Sequence, residues 1–186
     1  MTDPLIARWQ DWAGEGVEHL VLRQSASGIV AESAIITKLE GAPVALRYRI
    51  ECDPAWQVRR FHIARIGDEP AIDLKRDGKG NWTDGAGIAQ PQLTGAIDVD
   101  ISATPFTNTL PIRRLGLQRG RSAEVLAVYI LAPDLTVSID RQRYTCLDAD
   151  GRRYRYQSVD SDFTREIEVD EHGLVLIYPD LFRRIS

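Results

Sequence analysis

The sequence is poor in the residues that most often announce chemistry. Its 186 residues include two cysteines and three histidines. Cys52 and Cys146 lie too far apart to form a local metal or redox motif, so two buried free thiols are expected. His19, His62 and His172 are scattered without ligand spacing, which makes a weak case for zinc. No Gly-x-Ser-x-Gly elbow, Ser-x-x-Lys or His-Glu-x-x-His pattern occurs, so nucleophilic catalysis has no support. The reading from residues alone assigns no catalytic residue, no metal and no cofactor.

Other absences bound the class. There is no basic surplus: the formal net charge is −4, which argues against a nucleic-acid partner. No apolar run approaches the roughly 18 residues of a membrane span, and the longest, Val125–Ala132, is strand-sized. Met1–Trp9 shows neither a basic start nor an unbroken apolar stretch, so it does not read as a secretory signal, and a cytoplasmic, reducing compartment is expected. There is no internal repeat, low-complexity tract or linker. With 44% hydrophobic and 27% charged residues the composition is that of an ordinary folded chain, and residues 1–186 read as one domain.

What the sequence does have is a period of two. Val44, Leu46, Tyr48 and Ile50 alternate with Ala45, Arg47, Arg49 and Glu51, as in a strand with one buried face. The same alternation recurs at Phe61 and Ile63, at Ile97, Val99 and Ile101, and at Ile167 and Val169. Near-continuous apolar runs at Val125–Ala132 and Leu174–Tyr178 suit strands buried on both faces. Asp77-Gly78, Ala132-Pro133-Asp134, Asp150-Gly151 and Glu171-His172-Gly173 punctuate these runs as tight reversals. Short connections predict antiparallel neighbours rather than crossovers through helices.

One helix is predicted. Thr104 to Thr109 offers capping groups, Leu110 to Leu115 follows, and Gly116 ends it. Pro111 fits only the first turn, so the helix starts near Thr107–Leu110. Its N-terminus is a candidate anion site. A lone short helix among strands is best stabilised inside a curved sheet. Pro4 to Trp12 is a second, weaker candidate for a helical turn.

The run Gly95-Ala96-Ile97-Asp98-Val99-Asp100-Ile101, through Pro105-Phe106-Thr107-Asn108-Thr109 to Leu110-Pro111-Ile112-Arg113-Arg114-Leu115, resembles the signature of a bacterial family of putative glycolipid-binding proteins. Trp9, Trp12 and Asp77-Gly78-Lys79-Gly80-Asn81-Trp82 before it, and Tyr154-Arg155-Tyr156 and Tyr178-Pro179 after it, agree in order with the same family. The resemblance implies a mainly β fold, a large antiparallel curved sheet or incomplete barrel around a single short α-helix. It also implies a remote likeness to lipoprotein localization factors, a homodimer, an acidic pocket and a glycolipid or other amphipathic sugar ligand.

Asp98 and Asp100 are the sharpest chemical feature. Residues i and i+2 of a strand share a face, so two carboxylates would sit together, suited to accepting hydrogen bonds from sugar hydroxyls. The plain alternative is the polar outer face of a half-buried strand. Thr107 and Asn108 add polar groups nearby, and Arg113-Arg114 supply cations, one expected in a structural ion pair. Glu18, beside His19, and Glu32 are further candidates for the acidic pocket. The expected ligand-binding set is Asp98, Asp100, Thr107, Asn108, Arg113, Glu18 and Glu32. Two other functions stay open: a hydrolase of a glycoside or ester using Asp98 and Asp100 as acid and base, and a dimeric interaction scaffold.

Overall fold

The computed structural model describes residues 3–67, 71–132 and 134–186. The first half of the chain forms β1 (Leu5–Asp11), β2 (Val17–Ser25), β3 (Gly28–Leu39), β4 (Ala42–Cys52), β5 (Val58–Arg65), β6 (Ala71–Arg76) and β7 (Trp82–Asp84). The second half contains β8 (Asp98–Ile101), α1 (Thr109–Leu115), β9 (Ser122–Leu131) and β10 (Thr136–Cys146). It ends with β11 (Arg153–Ser158), β12 (Thr164–Val169), β13 (Val175–Tyr178) and β14 (Phe182–Ile185). All the strands join one large curved sheet that does not close, in the order β7-β6-β5-β4-β3-β2-β1-β14-β13-β12-β11-β10-β9-β8. Each half is a run of neighbours, and the halves meet where Arg8 lies opposite Ile185 and Asp11 opposite Phe182.

The period of two produces the burial. In β4, Val44, Leu46, Tyr48 and Ile50 are buried while Arg47 and Arg49 are exposed. Turn chemistry behaves as expected at three reversals. Asp77 Oδ1 accepts from the Lys79 and Asn81 amides, and Gly151 and Gly173 both take positive φ. The fourth reversal contains Pro133, which lies outside the described residues, as do Met1 and Thr2.

Three expectations are corrected. Pro4 to Trp12 contains β1, not a helical turn: Ala7 and Trp9 are buried while Ile6 and Arg8 are exposed. Pairing with β2 on one edge and β14 on the other satisfies this backbone, whereas a short isolated helix is marginal. The connections are not all hairpins, because β8 runs parallel to β9. A parallel pair needs a crossover, and α1 supplies it. Finally, the apolar runs are covered on both faces only in part. Ala127, Val128 and Ile130 are buried, but Leu126, Leu131 and Leu176 are exposed.

The helix separates two apolar clusters. Phe106 and Leu110 pack into a cluster that draws on both halves, with Trp9, Leu46, Phe61 and Val99. Ile112 packs into that of the second half, with Tyr144, Tyr156 and Val175. Residues two apart on a helix point about 200° from each other, so seven residues serve both sides. The segment entering β8 is pinned to the far edge of the sheet. Trp82 Nε1 donates to the Ala96 carbonyl at 3.0 Å, Arg76 Nε to the same oxygen at 3.1 Å, and the Gly95 amide to Gly80 at 3.3 Å.

Candidate functional site

The parallel pairing of β8 brings Asp98 and Asp100 to the helix rather than to the outer face. Asp98 is 1% exposed and closed off. Arg114, in the last turn of α1, grips it with both prongs: Nε reaches Oδ1 at 3.1 Å, and Nη2 bonds Oδ2. Burial pushes the Asp98 carboxyl up, and the guanidinium opposes that.

Asp100 has a different environment. Its Oδ1 accepts from the Thr107 hydroxyl at 2.8 Å and its Oδ2 from Gln142 Nε2 at 2.7 Å. That amide nitrogen also donates to Asp140 Oδ2 at 3.0 Å. Asp140 accepts in addition from Tyr156 Oη at 3.3 Å and Ser158 Oγ at 3.1 Å. Every one of these donors is neutral. Burial pushes the Asp100 carboxyl up to about 6, with the neighbouring Asp140 and Asp98 charges adding to the effect and the hydrogen bonds opposing it.

Asp100 and Asp140 line a cavity of about 500 Å³, within the range of small-molecule sites. Its wall combines polar groups (Ser102, Asn108, Ser138, Ser158) with aromatic rings (Tyr129, Tyr156, Tyr178, Phe163). Ile101, Ile139, Leu181 and Phe182 add apolar surface. The rings brace one another edge to face: Tyr156 lies 5.9 Å from Phe163 and 6.4 Å from Tyr178. No lysine, arginine or histidine is among the described residues of the lining.

The other expected residues divide between support and distance. Thr107 is buried behind Asp100, donating to it and accepting from the Ile101 amide. Asn108 faces the cavity but is fixed on two sides. Its Nδ2 donates to the Pro105 carbonyl and its Oδ1 accepts from Tyr144 Oη. Arg113 lies elsewhere, with its guanidinium 5.4 Å from the centre of the Trp56 ring. Glu32 is on the outer face, where Arg23 and Arg49 pair with it. Alternation is the reason: Ala31 and Ser33 point inward, so Glu32 cannot.

Glu18 points inward and is buried, accepting from Ser33 Oγ at 2.7 Å, Tyr48 Oη at 2.6 Å and Thr104 Oγ1 at 2.6 Å. Thr104 also lines the cavity, so Glu18 stands one residue behind the wall. Burial pushes its carboxyl up to about 7 despite the three hydroxyls. The expected anion site at the helix N-terminus is absent. A 3-10 turn, Phe106–Asn108, runs directly into α1, and the Thr109 amide is already bonded to the Phe106 and Thr107 carbonyls.

Asp140, Gln142 and Ser158 do not emerge from reading motifs. A signal existed. Ser138, Asp140, Gln142 and Tyr144 occupy alternate positions of one strand, so a run of polar groups shares a face.

Comparison with known proteins follows the same lines. The profile of a family described as putative glycolipid-binding matches residues 6–184. A protein of the DUF1089 family from Pseudomonas aeruginosa, known from a crystal structure, is 41% identical. The alignment covers 92% of each chain with a TM-score of 0.81. No functionally curated protein matches.

Proposed function

Because the chain belongs to the putative glycolipid-binding family, we propose that it is a non-catalytic binding protein for an amphipathic ligand with a sugar-like head, held in the cavity beside Asp100. The observation that carries this reading is the mixed lining. Hydroxyls gather around the two carboxylates, Asp100 and Asp140, suited to a polyhydroxylated head. Tyrosine and phenylalanine rings offer faces for sugar rings, while Leu181 and Phe182 suit an acyl or alkyl portion. Asp100 and Asn108 contact the ligand in this reading. Asp98, Thr107 and Glu18 hold the wall in place.

Native mass spectrometry of protein purified from its host, followed by organic extraction, tests the proposal. A co-purifying amphipathic molecule is expected, and it should be lost from a folded Asp100→Asn/Asp140→Asn variant. Retention of the same molecule by that variant would sink the cavity assignment. Turnover of a glycoside or ester, lost on Asp100→Asn, would instead favour the hydrolase.

We propose also that the chain works as a homodimer in a reducing compartment, the cytoplasm. The family resemblance supports the first, and the two buried free thiols, Cys52 and Cys146, fit the second. Light scattering on the purified protein checks the stoichiometry.

A further inference from the structure

Several carboxylates of this protein are answered by arginine, whereas buried Glu18 is held by hydroxyls. Asp53 pairs with Arg59, Asp73 with Arg60, Asp98 with Arg114 and Asp170 with Arg184. Glu32, Glu124 and Glu166 each engage two arginines. Inside the cavity Asp100 and Asp140 lie side by side with only neutral partners among the described residues. One amide nitrogen, Gln142 Nε2, lies 2.7 Å from the first carboxylate and 3.0 Å from the second, so the two negative groups share a single neutral donor. Thr107, Tyr156 and Ser158 complete their partners, and none of these carries charge. Arg165 points its charge elsewhere, lying 4.9 Å over the Phe163 ring and pairing with Asp180 at 3.4 Å. It also donates to the Thr164 carbonyl, although its Nε has no partner among the described residues.

Two like charges held this close in a partly dry site repel, and water is a poor substitute for a counter-charge there. Tyr129, Tyr156 and Tyr178 line the same cavity, and aromatic faces attract cations. A hard metal ion suits the pair less well. It wants six or more oxygen ligands, whereas the donor that links these carboxylates is an N–H group.

We infer that the ligand supplies the missing cation: the cavity selects amphipathic molecules whose polar head carries a protonated amine, such as an amino sugar, and rejects anionic heads. The ammonium hydrogens bond to Asp100 and Asp140 from the cavity side, and the hydroxyls of the head reach Ser138 and Ser158. This rests on the binding reading above and narrows it to one ligand class.

The test uses three probes with one alkyl tail: octyl glucoside (neutral), octyl glucosaminide (cationic) and octyl glucuronide (anionic). Each is titrated calorimetrically below its micelle concentration into the wild-type protein and into Asp140→Asn, with folding of the variant verified by circular dichroism. The glucosaminide should bind at least about tenfold more tightly than the glucoside, the difference a charge-assisted hydrogen bond makes, and the glucuronide should bind most weakly. In Asp140→Asn the ratio of glucosaminide to glucoside affinity should fall to about twofold, whatever the change in absolute affinity. A wild-type protein that binds glucoside as well as glucosaminide overturns the amine inference and leaves the sugar-binding reading intact. So does an amine preference unchanged in Asp140→Asn. Failure of all three probes to bind overturns both readings. The wild-type ranking decides the matter even if the variant does not fold.

Discussion

Asp98 and Asp100 are two residues apart on one face of one short strand, yet the fold treats them oppositely. Asp98 is sealed with an arginine that reaches it from the end of the helix, and it has no route to a ligand. Asp100 is held by a hydroxyl and an amide and opens on a cavity. A buried charge given a full counter-charge is structure. One given only neutral donors beside a second carboxylate retains the capacity to attract something. Sequence chemistry is the same at both positions, and the partners that the helix and β10 bring make the difference.

The largest effect should come from breaking the sealed member. Arg114→Ala would leave Asp98 charged and unpaired in the interior, and removing one partner of a buried pair costs about 3–5 kcal/mol. Urea denaturation measures it. A loss below about 1 kcal/mol would mean that the pair is more solvated than its burial implies.

Glu18 is a third variation, a buried carboxyl with hydroxyl partners only. Its folded value of about 7 lies above the ordinary 4.5, so folding favours the protonated form. Its contribution is fully present below pH 4.5 and is lost as pH rises through about 7. Asp100, raised to about 6 from 3.8, contributes with the same sign over a lower window. Glu18→Gln keeps a neutral hydrogen-bonding group in place. It should be more stable than the wild type at pH 8 by up to about 3 kcal/mol, with the advantage gone near pH 4. Thermal melts across that range check this, and parallel wild-type and variant curves would show that Glu18 titrates normally.

The smallest expected effect on stability comes from the open member. Asp100→Asn removes repulsion with Asp140 and should change stability by no more than about 1 kcal/mol. It should nonetheless weaken binding of the extracted ligand by about tenfold. A large destabilisation without loss of binding would reverse the roles assigned to Asp98 and Asp100.

Legibility in the sequence followed the range of the interactions. The strands β4, β5, β8 and β12, the turns at Asp77, Gly151 and Gly173, and the helix that ends at Gly116 are all readable, because alternation and turn chemistry are local, whereas the 3-10 turn that leads into the helix is not. β1 was misread because its pattern is short and its stability comes from strands on both sides. The parallel run of β8 was missed because nothing in Asp98-Val99-Asp100-Ile101 states the direction of its neighbour. Asp100 was legible as a candidate, while Asp140 and Gln142 were not. They lie on another strand and come within reach through the sheet's curvature and the β9–β10 hairpin.

By itself, then, the sequence determined the mainly β class, the single segment ending at Gly116 that becomes the helix, and the carboxylates available for use. Period and turn residues act over a few positions, and which side chains are present does not depend on the fold. Only the tertiary structure decided which carboxylate is neutralised, which is exposed to a cavity and which, like Glu32, faces outward. Those outcomes depend on what stands across a gap of a few ångströms, and residues far apart in the chain supply it.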